Sequence, residues 1–218
     1  MARHASLAPA ALLLALAAGC APAQKKPDYA KFLAAQPRAI LIVPVVNKSV
    51  NVDAPDYFLS TIPVPVAERG YYVFPVNMVK RVLEDDGLAD AALVHGAEPQ
   101  KLAALFGADA VLYVTVERWD AKYIVVDTQV TVEFTYVLKD GKTGESLWSA
   151  RRSAVHTASQ GSGQGGLAGL IAKAVAAAVA KAAPNYMPLA RQANAAALEY
   201  PGPGFPSGPY RPEYQQDL

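Results

Sequence analysis

The stretch IVVDTQVTVEFTYVL, residues 124–138, decides the fold because its side chains alternate between apolar and polar. Apolar residues stand at 130, 132, 134, 136 and 138, and polar residues stand at 129, 131, 133 and 135. A period of two is typical of an antiparallel strand with one buried and one solvated face. We therefore predict a strand over 124–138 that borders a hydrophobic core.

A hairpin turn follows this strand. The segment KDGKTG, residues 139–144, is rich in residues that tolerate positive φ and separates two β-type runs. Such a segment predicts a tight connection between antiparallel strands. The partner strand is predicted from Ser146 to about Thr157, with Leu147 and Trp148 near its start.

Shorter elements precede the hairpin and alternate between strand and helix. Short β-branched runs predict buried strands, and Pro near the start with Gly after the end predicts helix limits. Pro63 and Pro65 must break or kink the first of these helices. We predict strands at 40–46, 71–74 and 110–116, and helices at 53–62, 75–84 and 98–106. This order indicates a single α/β domain with a mixed sheet, a parallel first half, helices packed on the sheet and a long antiparallel hairpin.

The N-terminus has the pattern of a lipoprotein leader. Arg3 precedes a short apolar stretch, and Leu16-Ala17-Ala18-Gly19 leads to Cys20, the single cysteine of the chain. Small residues before a cleavage point are typical of a secretory signal. A cysteine at the first mature position indicates lipid attachment, and two or more acyl chains hold a protein stably on a membrane. A soluble secreted protein with an incidental cysteine is the alternative.

These patterns divide the chain into four parts. We predict a signal peptide at 1–19, a lipidated tether at 20–38, the α/β domain at 39–185, and a short helix with a Pro/Gly/aromatic tail at 186–218. The helix is predicted at 188–198. From Pro201 the tail repeats Pro and Gly, and its composition predicts an extended segment that adds nothing to the core.

Charge and composition exclude several functions. The chain has 20 Lys and Arg against 19 Asp and Glu, and Arg3 lies in the leader, so the mature net charge is near zero. No basic field is present to attract nucleic acid. Apart from Cys20 there is no cysteine, so no intramolecular disulfide can form.

The sequence offers no convincing catalytic, cofactor or metal site. Gly141-Lys142-Thr143 mimics the end of a phosphate loop, but Tyr136 stands where that motif needs a glycine. Neither His95 nor His156 has a cysteine or second histidine at ligand spacing. Ser60 and Ser153 lack a nucleophile-elbow context. We therefore expect a protein that is not an enzyme and has no metal or cofactor.

The segment after the hairpin holds the predicted partner-binding residues. A glycine-rich connector at 159–166 leads into an alanine-rich helix predicted at 167–183. One interpretation is a helix packed on the sheet, and the other is a flat helix face that docks a partner closely. The residues of that face are Leu167, Leu170, Ile171, Val175 and Val179.

Three blocks of the chain resemble a known family. AERGYYVFPV (67–76), LFGADAVLYVTVERW (105–119) and KTGESLW (142–148) are similar to a family of outer-membrane lipoproteins of unknown function, over most of residues 40–185. Its architecture is similar to the TolB N-terminal domain and the CsgG periplasmic domain, in which a motif like Gly107-Ala108-Asp109 precedes a long strand. The resemblance implies a CsgG-like lipoprotein and a small companion lipoprotein as partners, and a homodimer.

Together, leader and resemblance predict a non-enzymatic, lipid-anchored accessory protein of an envelope secretion or assembly complex. Ala21 after the cysteine favours the outer membrane and a periplasm-facing domain. A regulator of cell-wall synthesis that binds a penicillin-binding protein is one alternative. It is disfavoured because a tether of about 20 residues spans at most about 70 Å. A small-ligand carrier is a further alternative and would need a concave apolar pocket.

Overall fold

The computed structural model describes residues 29–124 and 127–157, the helical positions 190, 191, 194, 195 and 198, and residues 204–216. The helices are α1 (Ala30–Ala35), α2 (Ala54–Thr61), α3 (Pro63–Glu68), α4 (Val76–Asp85), α5 (Ala91–Gly96) and α6 (Pro99–Phe106). The strands are β1 (Ala39–Ile42), β2 (Val46–Asn47), β3 (Tyr72–Val73), β4 (Ala110–Ile124), β5 (Asp127–Asp140) and β6 (Ser146–Thr157).

All six strands join one mixed sheet, which confirms the predicted fold class. The strand order is β3-β1-β4-β5-β6, and β2 pairs separately with β4. β1 runs parallel to β3 and to β4, whereas β4, β5 and β6 are antiparallel neighbours. The predicted parallel first half and antiparallel hairpin are both present. The partner strand β6 lies at Ser146–Thr157, as predicted. The turn also lies where predicted, and the Asp140 carboxylate stabilises it by accepting hydrogen bonds from the N–H groups of Lys142 and Thr143.

The limits of the long strands differ from the prediction. β4 does not end at Val116 but continues to Ile124, and β5 begins at Asp127, so the predicted strand over 124–138 starts too early. Ile124, the first residue of that pattern, is instead the last residue of β4. Pairing explains the difference: Asp120 and Lys122 lie opposite Thr131 and Gln129, so polar residues extend the ladder.

Several short elements also depart from the prediction, among them α3, a new helix that begins at Pro63 where only a break was predicted. The run predicted as one strand at 40–46 is divided into β1 and β2 around Pro44, whose nitrogen has no hydrogen to donate. Helix α5 was not predicted. It begins after Asp90, whose carboxylate accepts the N–H of Ala92 at 2.7 Å and caps a segment too short to show a clear period.

Hydrophobic cores lie on both faces of the sheet. One core joins α1, α2 and α3 to the sheet and contains Phe58, Phe134, Tyr136 and Trp148. The other lies under α4, α5 and α6 and contains Leu41, Leu83, Leu102 and Tyr113. Alternate residues of β1 and β4 belong to opposite cores, as in a sheet covered on both sides. Each fully buried aromatic or aliphatic side chain contributes about 1.5–3 kcal/mol to stability.

The motif Gly107-Ala108-Asp109 connects α6 to the two central strands. Gly107 ends α6 with φ at 72°, in the left-handed region that favours glycine. One carboxylate oxygen of Asp109 accepts the N–H groups of Arg38 and Ala39, each at 2.9 Å. The N–H of Asp109 donates to the Ala39 oxygen, also at 2.9 Å. Asp109 therefore fixes the start of β1 beside the start of β4.

A buried asparagine attaches the C-terminal helical positions to the first core. Asn194 is fully buried, and its amide donates to Thr61 Oγ1 at 2.8 Å and to the Phe58 oxygen at 3.3 Å. Tyr136 Oη donates to the Asn194 amide oxygen at 3.3 Å. Each member of this network has a partner, as buried polar groups require. The described helical positions, Ala190 to Leu198, lie within the predicted helix at 188–198.

The structure differs most clearly from the prediction in the C-terminal tail. Composition predicted that it adds nothing to the core, yet Phe205 is fully buried and packs in the first core. Ser207 is also buried, with 2% of its surface exposed. The prediction was wrong for residues 204–208 because it considered only what the tail itself supplies. The domain supplies the aromatic surface and hydrogen-bond donors that hold this segment.

Candidate functional site

The predicted site residues lie outside the described part of the chain. Cys20, the predicted lipidation site, precedes residue 29. The predicted partner-binding residues on helix 167–183 and the connector at 159–166 follow residue 157. Both therefore stay predictions. The described residues offer three other candidate surfaces.

The antiparallel half of the sheet has an open polar face. Thr135 Oγ1 donates to the carboxylate of Glu117 at 3.1 Å, and Lys48 lies 3.1 Å from the same carboxylate. On the next strand, Arg151 forms an ion pair with Glu133. This face is the solvated face that the alternation at 129–138 predicted. Its side chains are half-buried to exposed, and opposite charges pair across neighbouring strands.

Strand β6 forms one edge of the sheet. Within the described residues it pairs with β5 on one side and with no strand on the other. It is 12 residues long, and Ser149, Arg151 and Ser153 are exposed on the polar face. Trp148 and Ala150 face the first core instead. A long edge strand offers unpaired backbone groups to another chain, and an exposed arginine is a usual protection against unselective pairing.

A second candidate is the cluster of His95, Tyr113 and Lys139. His95 Nε2 donates to the Pro44 oxygen at 3.0 Å, and its ring stands edge-on to Tyr113 with centroids 5.1 Å apart. Burial lowers the pKa of His95 and raises the pKa of Tyr113 to about 12. The Lys139 ammonium lies 5.0 Å from the centre of the Tyr113 ring.

This cluster has the character of a packing site. His95 is neutral near pH 7 and its Nε2 is engaged by a backbone carbonyl, so this nitrogen is not available as a general base. Tyr113 keeps its proton at neutral pH. Its hydroxyl is buried and has no hydrogen-bond partner among the described residues.

A third candidate is an open cleft of about 690 Å³ between α2 and α4. Its walls include Asp53, Tyr57 and Asn77, and Lys80 lies 3.4 Å from Asp56 in an exposed ion pair. Ser60 lies here too, and its hydroxyl donates to the Tyr57 oxygen at 3.0 Å. None of the described residues that line the cleft is a histidine, and these walls are not the enclosed apolar surface expected of a small-ligand carrier. Among the described residues, no group of three or more potential ligands could hold a metal ion.

The family assignment follows from comparison with known proteins. Residues 27–208 match the family described as "Putative lipoprotein GNA1162-like". The chain belongs to the GNA1162-like lipoprotein family. The match extends beyond residues 40–185 at both ends and includes the buried tail segment. Membership of a lipoprotein family accords with the predicted anchor at Cys20.

Individual relatives support the assignment. The chain is 38% identical over 144 residues to the "Putative lipoprotein NMB1124/NMB1162" of Neisseria meningitidis serogroup B, covering 65% of this chain and 67% of that protein. The crystal structure of lipoprotein GNA1162 from Neisseria meningitidis is 35% identical, with a TM-score of 0.56. That match covers 66% of this chain and 99% of the GNA1162 chain.

More distant structural matches do not extend the family assignment. The C-terminal domain of LpoB from Escherichia coli matches 55% of this chain and 84% of its own, at 16% identity and a TM-score of 0.41, which supports no argument about function. The resemblance to TolB and CsgG stays a prediction. In the described part of the chain, no helix combines the length and apolar character needed to cross a bilayer.

Proposed function

We propose that this chain is a non-enzymatic accessory lipoprotein, held by lipid at Cys20 on the periplasmic side of the outer membrane, whose α/β domain binds another envelope protein. Membership of the GNA1162-like family supports the lipoprotein character. The leader and the single cysteine support the attachment point. The near-neutral charge balance supports a protein partner over a nucleic acid.

The edge of β6 carries the proposal of a binding surface. Among the described residues no strand pairs with its outer side, and the neighbouring sheet face is polar. A partner that adds a strand gains main-chain hydrogen bonds along the edge, and side chains on alternate positions give the selectivity. Ser149 and Ser153 flank Arg151 on the exposed face, so a partner strand meets one positive charge between two small polar residues.

We infer the partner from the sequence resemblance. The partner we propose is a CsgG-like lipoprotein of a secretion or assembly complex, together with a small companion lipoprotein. Pairing of β6 with β6 of a second copy would instead give a homodimer with a two-fold interface. The predicted helix face at 167–179 is the second surface available to such a partner.

Site-specific photocrosslinking in intact cells tests this proposal. A photoreactive amino acid is placed at Ser149 or Ser153 on β6, and a matched control is placed at Met78 on α4, which is 66% exposed on another surface. We expect one dominant adduct from both β6 positions and none of that mass from Met78. Mass spectrometry of the adduct distinguishes a CsgG-like lipoprotein from a second copy. Equal or absent crosslinking at β6 and α4 would contradict binding at this edge.

A further inference from the structure

One end of the sheet contains the starts of three strands. β1 begins there at Ala39, β4 begins at Ala110, and β6 begins at Ser146. Ala110 pairs with Asp140, the last residue of β5, so β5 ends at the same level. We call this end the base of the sheet. β5 is 14 residues long, and the opposite end of the β4–β5 hairpin therefore lies about 45 Å from the base.

The N-terminal part of the described chain is attached to the domain near the base. Lys31 of α1 forms an ion pair at 3.0 Å with Glu145, in the turn before β6. Tyr29 Oη and Trp148 Nε1 donate to the same backbone oxygen, that of Gly204, at 3.0 and 3.1 Å. Trp148 lies near the start of β6. Tyr29 and α1 are therefore part of the folded domain at its base, although they fall within the segment predicted as a tether.

This attachment limits the distance between the domain and a lipid at Cys20. Only residues 21–28 lie between Cys20 and Tyr29. Fully extended, such a segment spans at most about 30 Å. From the level of Trp148, the far end of the β4–β5 hairpin lies about 37 Å away along β5. A lipid at Cys20 therefore reaches a bilayer that touches the base, whereas it is too far from a bilayer that touches the far end of the hairpin.

The exposed side chains of the base suit a lipid surface. Arg38 lies immediately before β1 and Lys142 lies in the turn before β6, and both are exposed. The exposed fraction of Lys31 is 59%. Tyr72, the first residue of β3, pairs with the start of β1 and is 53% exposed. Basic groups are attracted to anionic headgroups, and tyrosine is enriched where a membrane meets water.

The acidic side chains of the base are engaged within the protein. The half-buried Asp109 carboxylate accepts two backbone N–H groups, each at 2.9 Å. Asp140 is 8% exposed and accepts backbone N–H groups of the turn that follows it. Glu145 pairs with Lys31. The basic side chains are thus more exposed at the base than Asp109 and Asp140 are.

We propose that Lys31, Arg38, Tyr72 and Lys142 form a headgroup surface, which lies against the lipid headgroups of the membrane that holds Cys20. The ligand is the bilayer surface, and the β4–β5 hairpin points away from it. The short tether keeps this surface close to the bilayer, and its basic groups meet the lipid phosphates. β6 then runs away from the membrane, which leaves its edge accessible from the periplasm. This inference rests on the proposed lipid attachment at Cys20.

A fluorescent label on the lipidated chain tests the orientation. Because Cys20 is the single cysteine and its sulfur carries lipid, an introduced cysteine supplies the thiol for labelling. Lys142→Cys places the label on the headgroup surface. The control is Val50→Cys, at an 86% exposed residue that follows β2, whose partners on β4 lie about 20 Å from the base. In phosphatidylethanolamine and phosphatidylglycerol vesicles with nitroxide-labelled headgroups, we expect the label at 142 to lose most of its fluorescence and the label at 50 to keep it.

A charge test uses two matched lysines in the unlipidated Cys20→Ser mature chain. Lys31 and Lys48 are both 59% exposed, and each pairs with a glutamate, at 3.0 and 3.1 Å. Lys48 follows β2, away from the base. In cosedimentation with the same vesicles at low salt, Lys31→Gln should weaken binding about 5-fold, the contribution of one basic residue near an anionic surface, and Lys48→Gln should leave it unchanged.

The outcomes separate this orientation from the anchoring itself. Quenching of acylated protein at 50 that equals or exceeds quenching at 142 would overturn the orientation and leave the proposed accessory role intact. Equal effects of Lys31→Gln and Lys48→Gln, or no vesicle binding by the Cys20→Ser chain, would overturn the headgroup contact in the same way. An unacylated N-terminal peptide in the wild-type protein would overturn the proposed anchoring, and this inference with it.

Discussion

Replacing the partly buried Asp109 with alanine should destabilise the domain. One carboxylate oxygen receives both the Arg38 and the Ala39 N–H groups at 2.9 Å. These bonds join the start of β1 to the start of β4, which are parallel neighbours in the centre of the sheet. Without them, the two strand starts keep only their ladder and the bond from the Asp109 N–H to the Ala39 oxygen.

The magnitude follows from the two hydrogen bonds. A bond to a charged group contributes about 1.5–3 kcal/mol, and the lower value suits this site because water can reach the Arg38 N–H. We therefore expect Asp109→Ala to reduce the free energy of unfolding by about 3 kcal/mol. Asp109→Asn places a neutral amide oxygen in the same position and should cost about 1.5 kcal/mol, since charge-assisted bonds are about twice as strong as neutral ones.

Urea unfolding followed by tryptophan fluorescence measures the difference, because Trp119 and Trp148 are both buried. With a slope of about 2 kcal/mol per molar urea, the alanine variant should unfold at about 1.5 M less urea than wild type. The control is Asp85→Ala at the end of α4, an exposed acid near the negative end of a helix. A loss below about 0.5 kcal/mol for Asp109→Ala, or equal losses for alanine and asparagine, would refute the reasoning.

Three further substitutions test the buried polar groups. Asn194→Ala should lower stability by about 3 kcal/mol because it leaves the Tyr136 hydroxyl buried without its acceptor, and calorimetry would show an unchanged melting temperature if the network were unimportant. Tyr113→Phe should raise stability by about 1 kcal/mol, since it removes a buried hydroxyl that has no partner among the described residues; a lower urea midpoint would count against this. Burial holds the pKa of folded His95 below its ordinary value of 6.5, so the unfolded chain binds the extra proton first. Wild-type stability should therefore fall as the pH drops from 6.5 towards the folded pKa, whereas His95→Gln should show a smaller decrease, and parallel pH profiles would contradict the assignment.

The sequence predicted best those elements whose pattern is local and repeated. The alternation at 129–138 identified the buried and the polar face of β5, because both faces are set by a period of two. Helix α6 was predicted at 98–106 and lies at Pro99–Phe106, since proline and glycine define its ends through backbone geometry alone. The predicted parallel first half also follows from short buried runs separated by helices.

Features that depend on distant partners could not be read from the sequence. The extension of β4 through Asp120 and Lys122 is stabilised by pairing with β5, which no local pattern reveals. The burial of Phe205 needs Tyr71 and Trp148, which stand far from it along the chain. Asn194 is a second example. This polar helix residue can be buried because Thr61 and Tyr136, which are distant in the sequence, provide its hydrogen-bond partners. The open edge of β6 emerges only from the strand order.

Lipid attachment at Cys20 is the claim on which the proposed function most depends, and cell fractionation measures it directly. Wild-type protein should remain with the outer membrane and carry the mass of acyl chains on its N-terminal peptide. Cys20→Ser should move the protein into the soluble periplasmic fraction with an intact domain, because one polar residue cannot replace several acyl chains. An unmodified N-terminal peptide in the wild-type protein, or unchanged membrane association of Cys20→Ser, would contradict the account.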